Sequence, residues 1–128
     1  MKKIIIADDS ALARMFIRRC LEIAGLCDSE FRDACDGLDA LRQMKENPPD
    51  LLVTDLTMPN MNGIELLRQI SACPEFSGLP VLVVTSAGNE EQRKQLYELG
   101  AAKILSKPLS PPMLVEAIDE IFGITQTF

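Results

Sequence analysis

Four short apolar runs, each stopping at a polar group suited to phosphate or metal, constrain this chain more than any other feature. Ile4-Ile5-Ile6-Ala7 runs into Asp8-Asp9, and Leu51-Leu52-Val53-Thr54 runs into Asp55. Val81-Leu82-Val83-Val84 runs into Thr85-Ser86, and Ile104-Leu105-Ser106 into Lys107-Pro108. Continuous aliphatic runs of this length suit strands buried on both faces, the usual condition of a parallel sheet. If the strands are parallel, their carboxyl ends share one crevice, where open α/β sheets bind ligands. Three carboxylates, a hydroxyl and a lysine then meet there.

The stretches between these runs read as helices with one weaker strand. Ser10 caps a first helix through about residue 25, with Leu12, Phe16, Cys20 and Ile23/Ala24 inward and Arg14, Arg18, Arg19 and Glu22 toward water. Gly25 terminates it. Phe31 anchors a strand over about residues 29–34, and after the Asp36-Gly37 turn Leu38, Leu41 and Met44 mark the inner face of a second helix. Asn47-Pro48-Pro49 stops that helix, because proline lacks an amide donor and restricts the residue before it. Residues 56–63 form a loop, and a third helix turns Ile64, Leu67 and Ile70 inward. The fourth helix, about residues 90–99, is highly polar, with Leu96 and Leu99 as its main core contacts. So few buried contacts predict a weakly held element that can move. A last strand over about residues 102–105 and a last helix from Ser110-Pro111-Pro112 to Gly123 follow, the helix striped by Leu114, Ala117, Ile118 and Ile121. Five β-α repeats predict an α/β fold: a parallel sheet with helices on both faces and right-handed crossovers.

Composition narrows the function. At 128 residues the chain makes one domain with a sizeable core. A net charge of −6 argues against direct nucleic-acid binding and against an anionic membrane surface. Cys20, Cys27, Cys35 and Cys73 lack C-x-x-C spacing, and without histidine a zinc site would need an unusual ligand set. Free thiols in a reducing compartment are the better reading. The apolar stretch after Met1-Lys2-Lys3 is too short for a signal peptide, and no run approaches a membrane span, so a cytoplasmic protein is expected.

Taken singly, the strand-end residues are ambiguous. Asp8 and Asp9 suit the positive end of the following helix as well as they suit Mg²⁺, which takes hard oxygen donors. Asp55 reads either as a turn residue before Pro59 or as a nucleophile that forms an acyl phosphate. Two or three acids in one crevice repel each other and call for a divalent cation. Thr85 fits a strand as well as it fits a phosphoryl oxygen. Lys107 reads as a surface lysine or as a partner for Asp55 and its phosphate.

Together they resemble a family. Asp8-Asp9, Asp55-x-x-Met58-Pro59-x-Met61-Asn62-Gly63, Thr85-Ser86 and Lys107-Pro108, in this order over nearly the whole chain, are similar to the receiver domain of bacterial response regulators. The resemblance implies a doubly wound, flavodoxin-like five-stranded sheet in the order 2-1-3-4-5 with five helices, a receiver over residues 1–124 and a short tail at 125–128. It implies Asp55 as phosphoacceptor and a Mg²⁺ ion held by Asp8, Asp9, Asp55 and the backbone carbonyl of Thr57. Thr85 and Lys107 would contact the phosphoryl group, and the Lys107-Pro108 bond would be cis. It further implies a two-component signalling switch, not an enzyme in its own right, though able to assist its own phosphorylation and dephosphorylation. The phosphoryl group would come from a sensor histidine kinase or a histidine phosphotransfer protein, and a monomer or weak dimer would act on an unidentified downstream protein.

Two positions depart from the family pattern. Ile104 stands where an aromatic switch residue is common, and Ala87, which cannot hydrogen-bond an attacking water, stands where the family tunes phosphoryl loss. No unusually rapid self-hydrolysis is therefore expected. Two other functions compete with the switch. An aspartyl-nucleophile phosphatase would carry a general acid two residues after Asp55, where this chain has Thr57. A flavin carrier would carry a Ser/Thr/Gly-rich phosphate loop after the first strand, where this chain has two acids.

Overall fold

The computed structural model describes residues 1–86 and 89–123. Its strands are β1 (Lys3–Ala7), β2 (Glu30–Ala34), β3 (Leu51–Asp55), β4 (Val81–Thr85) and β5 (Lys103–Ser106). All pair in parallel, in the order β2-β1-β3-β4-β5. The helices are α1 (Ala11–Leu21), α2 (Gly37–Glu46), α3 (Gly63–Ser71), α4 (Glu90–Glu98) and α5 (Pro111–Phe122). This is the doubly wound sheet that the alternation of elements predicts.

Alternate strand residues feed two cores. Ile5, Ala7, Leu52, Val81, Val83 and Ile104 pack with α2, α3 and α4. Ile4, Ile6, Leu51, Val53, Leu82, Val84 and Leu105 pack with α1 and α5. Each fully buried aliphatic side chain contributes about 1.5–3 kcal/mol of transfer free energy, so the sheet and the helices on its two faces share the stability. β3 and β4 are buried along their whole length, which explains why their sequences run apolar without alternation.

Helix α1 corrects the sequence reading. Its inward face is Ile17, Cys20 and Leu21, continued by Ala24, whereas Leu12 is 76% exposed and Phe16 and Ile23 are about half exposed. Arg14 also turns inward instead of facing water: Nη1 donates to the Asp8 carbonyl and Nε stands 3.2 Å from Asp33 Oδ2. That last pair is an ion pair without hydrogen-bond alignment. Both stripes recur at helical spacing, and packing against the sheet and α5 selects between them. The α-helix stops at Leu21 and continues as a π-helical turn, Glu22–Leu26, in which Gly25 takes φ 105°.

Smaller differences follow the same logic. In α2 the buried side chains are Ala40 and Met44, while Leu38 is exposed. In α3 Leu66 joins Leu67 and Ile70 inside, and Ile64 is half-buried. Leu96 is the buried side chain of α4, with Leu99 partly buried beside it. Ser10 caps α1 through the Ala13 amide, and Pro111-Pro112 open α5, where missing amide donors cost nothing.

Candidate functional site

Parallel pairing sets Ala7, Asp55, Thr85 and Ser106 at the same end of four neighbouring strands, so the next residues converge. Asp8 follows β1 and is 1% exposed. Its amide donates to the Ala34 carbonyl at 3.0 Å, and its Oδ1 accepts the Ser10 amide at 2.8 Å. Its Oδ2 is left facing Lys107 Nζ at 3.5 Å. Asp9 is exposed at the rim. Asp8, Asp9 and Asp55 each offer a carboxylate oxygen within 4.8 Å of the others.

Asp55 ends β3 and is 8% exposed. Its Oδ1 accepts the Leu56 amide at 2.8 Å, and its Oδ2 lies 3.7 Å from Lys107 Nζ. Burial pushes its pKa above the usual carboxylate value, and the neighbouring Asp8 pushes it further. The Lys107 ammonium and the amides of Leu56 and Thr57 oppose that rise without overcoming it. Three carboxylates thus face one ammonium. Hard oxygen donors with surplus negative charge are the donor set a divalent cation such as Mg²⁺ takes.

The remaining strand ends complete the crevice. Thr85 is buried at the end of β4, and its carbonyl accepts the Lys107 amide at 2.8 Å, fixing where the lysine leaves β5. The Lys107-Pro108 bond is cis. Thr57 sits on the loop after β3 with its side chain exposed and its amide beside the Asp55 carboxylate. Ile104 is 4% exposed and belongs to the core with Leu96 and Ala101, so it is a packed side chain and not a surface one. Ala87 lies outside the described residues.

Three residues of this end escaped the sequence reading. Arg14 holds the Asp8 carbonyl from α1, and Asp36 accepts from Asn60 Nδ2 at 2.7 Å across the crevice's far wall. Asp36 showed only as a turn residue, and Arg14 only as one arginine of a polar face. Asn60, in the left-handed region at φ 65°, carried one faint signal, since asparagine is among the few residues that tolerate that conformation.

Comparison with known proteins places the chain in context. The family model of the response regulator receiver domain matches residues 4–119. The chemotaxis protein CheY-3 of Vibrio cholerae is 37% identical over 120 residues, 94% of this chain and 91% of that protein. The structure of V. cholerae chemotaxis protein CheY4 superposes with a TM-score of 0.84 at 27% identity, covering 95% of this chain and 99% of that one. The Mn²⁺-bound form of response regulator Rcp1 superposes with a TM-score of 0.83 at 25% identity, covering 100% and 98%. A phosphatase and a flavin carrier find no support in these matches.

Proposed function

The chain belongs to the response regulator receiver domain family and is a phosphoacceptor signalling switch, and we propose on that premise that Asp55 receives the phosphoryl group. The observation that carries the assignment is the place of Asp55: a buried carboxylate at a strand end, with Lys107 Nζ 3.7 Å away and Asp8 and Asp9 beside it. One Asp55 oxygen is held by the Leu56 amide, and the other faces the crevice. In transfer that oxygen attacks phosphorus, the new P–O bond forms an acyl phosphate, and the bond to the donor's nitrogen or oxygen breaks. Lys107 and Thr85 would meet the charge on the phosphoryl oxygens. Asp8, Asp9, Asp55 and the Thr57 carbonyl would hold Mg²⁺, which when bound neutralises charge on the transferring group. The reading covers a receiver over residues 1–124 and a cytoplasmic location, in keeping with four free cysteines and with no described helix long and apolar enough to cross a membrane.

The chain has no histidine, so a histidine donor must belong to a partner such as a sensor kinase or phosphotransfer protein. An open groove of about 980 Å³, lined by Leu12, Met15, Phe16, Lys107, Pro108 and Leu109, runs from α1 to the lysine of the crevice. Exposed apolar residues at positions 12, 15 and 16 suit an amphipathic helix, and Arg18 and Arg19, which share the single carboxylate of Glu22, leave a net positive charge that favours one with acidic flanks.

The test has two arms. Acetyl phosphate with Mg²⁺ should add one phosphate by intact mass, and the adduct should vanish in Asp55→Asn and in excess chelator. An undiminished adduct in Asp55→Asn sinks the assignment. With a phosphohistidine protein as donor, Phe16→Glu should slow transfer at least about tenfold, the effect of losing roughly 1.4 kcal/mol of docking, while uptake from acetyl phosphate stays unchanged. Equal slowing from both donors would remove the groove from the donor path.

A further inference from the structure

The acidic crevice leans on a segment tied to the sheet at its start, where the Leu56 amide donates to the Val84 carbonyl of β4 at 3.1 Å. Residues 56–63 leave β3 after Asp55, carry Thr57, and return at the start of α3. Near the strand the Gly63 amide donates to the Leu56 carbonyl at 2.9 Å, and a Cβ at Gly63 would stand 2.6 Å from the Asp55 carbonyl oxygen. The outer part of the loop is held by another element. Asn60 Nδ2 donates to Asp36 Oδ2 at 2.7 Å, and the Gly37 amide donates to the Met61 carbonyl at 3.0 Å. A Cβ at Gly37 would lie 2.5 Å from that carbonyl oxygen, so the approach requires glycine.

Two details separate this contact from ordinary helix capping. Asp36 caps α2 with one oxygen, Oδ1, which accepts the Asp39 amide at 2.8 Å, and commits its second oxygen to the loop although it is only 7% exposed. Asn60 holds φ 65°, where glycine is free of strain and asparagine is not. Glycine would satisfy the backbone and lose the bond.

The same corner also registers β1. The Ala34 carbonyl, two residues before Asp36, accepts the Asp8 amide at 3.0 Å. The turn from β2 into α2 therefore fixes Asp8 from one residue and the loop after Asp55 from another.

We propose that Asp36 and Asn60 form a clamp that positions the 56–63 loop, and with it the Thr57 carbonyl, for metal binding beside Asp8, Asp9 and Asp55. The proposal rests on the Mg²⁺ reading above. Both are positioning residues, and neither touches the metal or the phosphoryl group.

Calorimetric Mg²⁺ titration of the whole protein tests it, with Asn60→Gly and Asp36→Ser as variants. Glycine keeps the left-handed backbone, and serine keeps an N-cap for α2 but is too short to reach Asn60. Each should raise the Mg²⁺ Kd about tenfold, the usual range for a residue that orients metal ligands. The double variant should lose no more than the worse single one, because both break one bond. In metal-free protein the amides of Gly37 and Met61, which donate to the Met61 and Pro59 carbonyls, should exchange faster in both variants, while the urea midpoint of Asn60→Gly should fall only slightly, the relieved backbone offsetting part of the lost bond. An unchanged Kd in Asn60→Gly overturns the clamp and leaves Asn60 with a backbone role alone. If the parent itself takes up no Mg²⁺, the metal reading fails and the clamp fails with it. Should Asp36→Ser not fold, Asn60→Gly alone decides.

Discussion

Helices α3 and α4 are each nine residues long and cover the same face of the sheet, yet they are held differently. Helix α3 buries Leu66, Leu67 and Ile70 and opens with a capping box between Asn62 and Glu65. Helix α4 buries Leu96, rests Leu99 partly on the core, and otherwise presents charged and polar side chains. Asn89 caps it through the Gln92 amide, one bond where the α3 capping box has two, so the N-termini differ by less than the buried faces do. The difference is therefore core contact. It gives the two flanks of the crevice separate tasks: α3 anchors the loop that carries Thr57, and α4 can shift at low cost when the crevice changes charge.

Native-state hydrogen exchange tests that division most sharply. Two fewer buried aliphatic side chains leave α4 roughly 3–6 kcal/mol less transfer free energy than α3. Amides in α4 should open at least about 100-fold more readily than those in α3, which should approach the global limit. Equal protection would mean that something other than core burial secures α4, and the movable flank would be lost.

How much of this was legible in the chain follows from what each feature depends on. Asp8, Asp55 and Lys107 could be placed together because a parallel sheet brings strand ends together whatever the details of packing. The polarity of α4 also predicted its weak hold, since Leu96 had few apolar companions. The inward face of α1 was read in part: Cys20 and Ala24 are buried as expected, but Leu12, Phe16 and Ile23 compete with Ile17 and Leu21 at helical spacing. Only α5 and the sheet break that tie. The link between Asp36 and Asn60 was hidden for a similar reason: it joins elements 24 residues apart, and each residue alone has an ordinary turn or loop explanation.

A middle-sized effect comes from the charge between the two helices. Asp55 has a folded pKa above its ordinary value of 3.8, from burial first and Asp8 second. Its proton-bound form favours the folded state, so its contribution is present below the ordinary pKa and is lost as pH rises through the folded one. At neutral pH without divalent cation, Asp55→Asn should therefore raise stability by about 1 kcal/mol, roughly 4 °C in Tm. The gain should shrink as pH falls through the raised pKa of Asp55, and again in Mg²⁺, whose proposed site includes that carboxylate. Because global unfolding includes both helices, slow exchange in α3 should track this gain, while local opening of α4 should not. An identical Tm for parent and variant at neutral pH, with and without Mg²⁺, would remove the charge strain from the account.

The smallest effect concerns the polar tie that α4 does have. Arg93 Nη2 donates to Ser106 Oγ, on the residue next to Lys107 and paired across the sheet with Thr85. Ile104 lies in the same core as Leu96, and no aromatic ring stands at its position to carry a change from the crevice to α4. The Arg93 bond spans that gap from the strand end itself. Exposed bonds of this kind contribute little, so Arg93→Ala should change global stability by no more than about 0.5 kcal/mol. Its mark should be local, in faster exchange over the first turns of α4 with α3 unaffected. A global loss above about 1 kcal/mol would mean that a surface contact holds α4 as firmly as burial holds α3, and the contrast between the two helices would no longer rest on the core.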